Sequence, residues 1–414
     1  MRNENGGVMR WELIEGVAAA RARRADWDRL WERSDEASPA ARCEPVCRWH
    51  AHFHPKTPLQ VIAVSEGNEL LAVLPLAPRG WPRVASLPSN DWVAGGTLLT
   101  DPAQDATHVS HCLLEGLARL PCVGYVFRGV PSDQVAWQAL AKASIEAGWP
   151  KVLQPLHQVG TIDLQTTWEE TETRLGGNYR RQMAKAQRRL EAAGRLEFHA
   201  TDTFADGMFA DGAEADGAEA DSLESTLREG FELEARGWKG AAGTAIARQP
   251  GLMAFVVRHA AAIAGAVPCE LRPAGDSPCA PEQDAARVRP VERPPTSGVR
   301  IATLRLDGRL IAFLYCWQGK RTVFTPKIAY DESFAEYSPG KLVFYWNLRA
   351  LLRGGRWRSL DMAGPLADYN AKWATGSYSV STLVLGKPGF RGQLLTAAYK
   401  GRRRLRDWRK RHAT

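Results

Sequence analysis

The chain has 414 residues, a formal charge of +8, 44% hydrophobic and 24% charged residues. This is the balance of a globular protein long enough for two domains, and it excludes a collagen, a coiled coil, a disulfide scaffold and bulk disorder. The longest run without Asp, Glu, Lys or Arg, residues 373–386, is too short and too rich in Ser, Thr and Gly to span a bilayer.

The N-terminus shows no apolar signal region, and the seven cysteines follow no framework spacing, so free thiols in a reducing cytoplasm are expected. The charge is uneven. Residues 387–414 hold ten Lys or Arg and one Asp, whereas the remainder sums to −1. A basic tail over 387–414 is therefore expected as a solvated or helical end, or as a peripheral contact with an anionic membrane or an acidic partner through residues 400–412. Nucleic acid ranks last, because no recognised nucleic-acid fold precedes the tail.

In chain order, Met9 to Asp35 carries a helical pattern. Leu59–Ser65 and Leu70–Leu76 read as a hairpin closed at Gly67-Asn68. His108–Leu120 reads as a helix, Val123–Arg128 as a strand and Asp133–Ala147 as a helix. Gly160–Leu164 is a strand, and Trp168–Ala193 a long helix with a weak point at Gly176-Gly177. Residues 205–221 repeat Ala-Asp-Gly and cannot build a core, so they read as a loop insert; another helix begins near Leu223. Residues 273–297 form a second, Pro-rich loop. Three antiparallel strands follow, Ile301–Leu306, Leu310–Trp317 and Thr322–Lys327, the first turn marked by Asp307-Gly308. A helix over Gly340–Arg353, a strand at Arg358–Met362, a short helix near Asp368 and a strand at Val380–Leu385 complete an α/β (α+β) pattern.

Ser338-Pro339-Gly340-Lys341 stands where a strand-to-helix turn opens a helix. Ser suits an N-cap and Pro a first turn. Such an end offers amides and partial positive charge to an anion, Gly340 would admit a phosphate and Lys341 adds charge. An ordinary capped helix without a ligand satisfies the same residues.

Four blocks resemble the Gcn5-related N-acetyltransferase (GNAT) superfamily, in its cellulose-biosynthesis (CelD-like) branch. They are Asn178–Gly194, Leu233–Ile246, Tyr330–Gly340 and Asp361–Trp373, running in order through residues 161–386, with Leu71–Leu76 as the best marker of a looser first half. The superfamily's usual Gln/Arg-x-x-Gly-x-Gly/Ala loop is absent, and Glu336-Tyr-Ser-Pro-Gly-Lys stands in its place. The resemblance implies tandem GNAT-like domains, as in the related Fem peptidyl transferases, each a mixed, mostly antiparallel sheet flanked by helices. The expected boundaries are 8–160, 161–386 and the tail 387–414. It also implies acyl transfer from acetyl-coenzyme A or another acyl-coenzyme A to an amine, on a small molecule or a glycan precursor.

Such transfer needs a base, an oxyanion stabiliser and an acid for the departing thiolate. The resemblance makes Tyr369 the candidate acid. Glu234 leads the candidate bases, beside Asp361, Asp331 and Glu332; a water chain also serves. Ser338, Pro339, Gly340 and Lys341 are the candidate cofactor contacts. Arg181, Lys185, Arg188 and Arg189 share one helical face, either solvated or a cationic wall for an anionic acceptor. Lys239 and Lys372 pair with structural acids or bind phosphate, while Trp238 and Trp373 pack or stack on a sugar. His50, His52 and His54 would share one side of a strand near Cys43 and Cys47, but match no zinc spacing, so no metal is expected. Two rivals keep the fold: a Fem-like transferase of aminoacyl groups from tRNA, and a non-catalytic accessory of polysaccharide synthesis.

Overall fold

The computed structural model describes residues 8–79, 83–93, 95–204, 218–264 and 297–411. The chain divides into two packed units, residues 1–163 with 361–414, and residues 164–360. Both are α/β, with mostly antiparallel strands flanked by helices. The division differs from the linear boundaries read in the sequence. The last strand, β13 (Gly376–Gly386), pairs antiparallel with β6 (Gly124–Pro131) on one side and β7 (Lys151–Asp163) on the other, so the C-terminal residues belong to the first unit.

The first unit opens with β1 (Met9–Glu15), paired antiparallel with β2 (Gln60–Glu66). The expected helix over Met9–Asp35 is thus a strand followed by α1 (Val17–Ala22) and α2 (Arg24–Arg33). The pattern misleads because β1 is an edge strand, Met9 and Trp11 packing on a hydrophobic cluster while Leu13 is left open. The hairpin of β2 and β3 (Glu69–Arg79) turns at Gly67-Asn68 as expected. Short β4 (Val84–Ser86) lies between β3 and β6, parallel to β6, and β5 (Leu99–Thr100) pairs with β3. His50 and His52 lie on α3 (Cys43–Phe53), not on a strand, and His54 caps its end, so the three rings share no strand face. Among the described residues no His, Cys, Asp and Glu side chains group as a metal site.

α4 (Ala106–Arg119) and α5 (Val135–Glu146) pack their buried rows, Leu113, Leu117, Trp137 and Leu140, against Ile62, Leu74, Tyr125 and Phe127 of the strands. Leu383 and Leu385 of β13 enter that same cluster. Each fully buried apolar side chain contributes about 1.5–3 kcal/mol, so β13 is integral to the first unit. The basic segment after it is a helix, α13 (Phe390–Arg411). It is not a detached tail: Leu395 and Tyr399 rest on Val84, Val126, Val152 and Val384.

The second unit begins with two helices where one was expected. α6 (Trp168–Leu175) ends and α7 (Gly177–Ala193) begins at Gly176, whose φ of +80° few other residues adopt. Thr167 and Glu170 close a capping box on α6. Strand β8 (Leu196–Phe204) pairs with β9 (Ser297–Leu306), β9 with β10 (Arg309–Gly319), and β10 with β11 (Thr322–Tyr330), all antiparallel. The turn at Asp307-Gly308 has positive φ at both residues, as a type I′ turn demands. α8 (Ala218–Arg236), α9 (Trp238–Ala241) and α10 (Leu252–Ile263) stand between β8 and β9 in the chain. Of the insert at 205–221, residues 205–217 lie outside the described residues, and 218–221 are the first turn of α8. The Pro-rich loop at 273–297 also lies outside them, except for Ser297, which opens β9. After β11 a 3-10 turn over Glu332–Tyr337 leads into α11 (Pro339–Gly354), and β12 (Ser359–Pro365) returns the chain to the first unit. α12 (Asp368–Ala371) is a single turn before β13.

Candidate functional site

In the second unit, the chemistry-bearing side chains gather where α8 ends and β11 passes. The C-terminal turn of α8 carries Glu234, almost fully buried. Its Oε1 accepts from Lys239 Nζ at 2.6 Å and its Oε2 from the Ile246 amide at 3.3 Å. Both oxygens are thus engaged, and the carboxylate ties α8 to the segment after α9. Lys239 also lies 5.9 Å from the ring centre of Trp238. That ring is 65% exposed, so Trp238 is available to a ligand, whereas Trp373 is buried and packs.

A third member was not singled out by sequence reasoning. Lys327 of β11 is half-buried and electrostatically coupled to Glu234 and Lys239. Burial lowers the Lys327 ammonium below the ordinary lysine value; Glu234 opposes that shift and Lys239 adds to it. Among the described residues no carboxylate forms an ion pair with it. The signal was present in the strand's alternation. Lys327 and Ala329 alternate onto one face, opposite Tyr315 and Phe313 of β10, and Ala329 is buried there. Glu234, Lys239 and Lys327 together carry one surplus positive charge.

The turn after β11 is tightly fastened. Asp331 is buried, accepts from the Ser333 amide at 3.0 Å and hydroxyl at 2.6 Å, and is paired with Arg309. Burial pushes the Asp331 carboxyl up, but the Ser333 hydrogen bonds and Arg309 outweigh it and hold the group below its ordinary value. Glu332 accepts the Trp238 amide at 2.8 Å, joining this turn to α9. Both carboxylates weighed as bases therefore have structural partners.

Ser338 occupies the N-cap position of α11, but not in the manner expected. It is left-handed, with φ 51° and ψ 48°, and its side chain makes no capping bond; its carbonyl instead accepts the amides of Lys341 at 3.0 Å and Leu342 at 3.1 Å. Gly340 is buried, and a Cβ there would sit 3.0 Å from Tyr330 Cδ1. The close approach that glycine permits is thus to the Tyr330 ring, not an open face for phosphate. Pro339 is buried in the first turn and Lys341 is exposed.

On α7, Arg181, Lys185 and Arg188 are exposed, while Tyr179, Met183, Ala186 and Leu190 form the buried row. Arg189 is committed to Glu336 and lies 4.6 Å from the Tyr337 ring centre.

The first unit holds the remaining candidates. Tyr369 on α12 is 68% exposed, and Lys372, which caps that turn, is exposed. Asp361 is buried, accepting from the Ala363 amide at 2.6 Å and the Tyr378 hydroxyl at 2.9 Å. Burial pushes its carboxyl above the ordinary aspartate value, and the two hydrogen bonds temper the rise. Tyr378, on β13, is itself raised by burial and by Asp361. Asp361 thus shifts in the direction opposite to Asp331, which its partners hold low. The pairing of a strand tyrosine with it, across 17 residues, leaves no local mark in the sequence.

The chain is similar in structure to the C-terminal domain of an Agrobacterium fabrum protein named as a lysylphosphatidylglycerol synthetase, with TM-score 0.51 and 12% identity, over 92% of this chain and 96% of that one. It is also similar to a tandem GNAT protein from the clavulanic acid biosynthesis pathway, with TM-score 0.42 and 13% identity over 92% and 100% of the two chains. Against FemX the TM-score is 0.44 at 10% identity, over 87% and 95%. No curated protein matches the chain. Residues 288–371, reaching through β9, β10, β11, α11 and β12 to the end of α12, match the family of the acetyltransferase (GNAT) domain.

Proposed function

We propose that the chain is an N-acyltransferase that moves an acyl group from acyl-coenzyme A to an amine. The match to the acetyltransferase (GNAT) domain over residues 288–371 carries this reading. In the reaction the amine nitrogen attacks the thioester carbonyl. The carbon–sulfur bond then breaks, the amine proton passes to a base and the thiolate takes a proton from an acid. Tyr369 is the proposed acid and its exposure leaves its hydroxyl accessible. Asp361 is the proposed base: it too is buried with both oxygens hydrogen-bonded, but its carboxyl is raised where that of Asp331 is lowered. Glu234 is assigned instead to holding Lys239.

The donor's pyrophosphate is assigned to the start of α11, where Lys341 supplies a formal charge and the first turn its dipole. The acceptor is assigned to Trp238, Lys239 and Lys327. An exposed indole suits the apolar face of a sugar, and the surplus cation suits a phosphate or carboxylate on the same molecule. An activated amino sugar, as a cell-envelope or exopolysaccharide precursor, combines these features with an amine, in keeping with the CelD-like resemblance.

Calorimetric titration with acetyl-coenzyme A tests the reading, with Lys341→Ala and Lys341→Glu as site variants. Micromolar binding weakened in the variants supports it and justifies a screen of amino-sugar phosphates. Absence of binding to folded protein overturns the coenzyme A assignment and favours an accessory role. A second reading, transfer from aminoacyl-tRNA, draws on the exposed row of Arg181, Lys185 and Arg188, which suits a polyanion. Transfer of a labelled aminoacyl group from charged tRNA, lost when the row is neutralised, would establish it.

A further inference from the structure

Among its described side chains, helix α13 rests one apolar pair on the fold and leaves another exposed. Leu395 and Tyr399 lie on the valine cluster of the strands, and Thr396 between them is buried. On the opposite side Phe390 is 77% exposed and Leu394 58% exposed. With 3.6 residues per turn, positions 390, 394, 397, 401, 405 and 408 fall in one row. In the sequence they are Phe, Leu, Ala, Gly, Leu and Trp. Nine of the other positions from 391 to 411 are Lys or Arg, against one Asp.

The occupant of this face follows from its charge. A second copy of the chain would bring nine like charges against nine, which repel. A nucleic acid would neutralise the cations but offer little to Phe390 and Leu394. An anionic bilayer answers both: phosphates for the cations, and the boundary between headgroups and acyl chains for the apolar row. No described helix is long and apolar enough to cross a membrane, so the contact is one of lying on the surface.

We propose that the outward face of α13 docks the protein on an anionic lipid bilayer, with Phe390 and Leu394 entering the headgroup boundary. The docking does not depend on the acyl-transfer reading. It would hold the protein against a membrane whatever its donor.

Flotation of the full-length protein with vesicles tests it, using mixed phosphatidylglycerol and phosphatidylcholine against phosphatidylcholine alone. Binding is expected on the mixed vesicles only and should weaken as salt rises. Leu394→Glu and the double variant Phe390→Ser/Leu394→Ser should weaken it by about tenfold or more. Both side chains are exposed, so the variants are expected to melt with wild type, and a melting curve verifies this. Failure to float with mixed vesicles overturns the proposal, as does equal binding by the variants or by neutral vesicles. Tighter binding to duplex DNA or tRNA, indifferent to the apolar substitutions, would overturn it in favour of nucleic acid. A concentration-dependent dimer abolished by Leu394→Glu, without flotation, would overturn it in favour of self-association.

Discussion

Tyr378 donates its hydroxyl to Asp361 Oδ2 at 2.9 Å, while the Ala363 amide donates to the other oxygen at 2.6 Å. The tyrosine thereby favours the ionised carboxylate that burial opposes. Tyr378→Phe should therefore raise the Asp361 carboxyl further. If Asp361 is the base, the acid limb of the rate profile moves to higher pH, while the affinity for acetyl-coenzyme A stays level. An unmoved limb would remove Asp361 from proton transfer.

The same aspartate makes a stability prediction. Its folded value is raised above its unfolded one, so its contribution is fully present below the unfolded value and is lost as pH rises through the folded value. Asp361→Asn should accordingly gain on wild type in melting temperature from about pH 4 towards pH 7. A parallel pair of curves across that range would show that the carboxyl is not raised.

Burial disfavours the Lys327 ammonium and lowers it below the ordinary lysine value. Its folded value is depressed, so charging it penalises the folded state below that value. Lys327→Met should raise the melting temperature at neutral pH and lower turnover with the physiological acceptor. Such an opposition marks a residue kept for function over stability. A variant that melts lower would instead make Lys327 a structural partner of Glu234.

Removing the cation from Glu234 has the opposite sign. Lys239→Met should cost about 2–3 kcal/mol, at or below the low end for a broken buried pair, since Lys239 is partly solvated. In the double variant Glu234→Gln/Lys239→Met much of that loss should return. Urea titration of the four proteins measures both quantities, and simple additivity would show that the two side chains act independently.

Gly340→Ala places a methyl 3.0 Å from Tyr330 Cδ1. Tyr330 is 40% exposed and can yield, so the expected cost is about 1 kcal/mol. Adding Tyr330→Ala should recover the loss caused by the methyl. No recovery would place the strain in the backbone of α11.

Much of the fold was legible because its local signals agree. The strands β9, β10 and β11 alternate clearly, and Asp307-Gly308 announces the turn between the first two. The start of α11 was placed within one residue. What escaped were relations between distant residues. Met9–Glu15 is a strand because β2 lies beside it, which periodicity over its own few residues cannot reveal. Ser338 was placed at the right position, yet its left-handed backbone turns its carbonyl, not its hydroxyl, to the helix. Glu234 and Lys239 are five apart and readable together; Lys327 joins them only through the path of β11. Asp361 and Tyr378 meet only because two strands return to the first unit.

The insertion of β13 between β6 and β7 has a consequence for synthesis. Residues 164–360 emerge from the ribosome whole and early enough to fold as a nested unit. The first unit begins sooner but must wait for residues 376–386, holding two strand edges open in the interim. Long-range closure of this kind is slow, and open edges invite pairing with other chains. A nascent chain stalled before residue 376 would thus carry a finished inner unit and an adhesive outer one, a natural client for chaperones that shield unpaired strands.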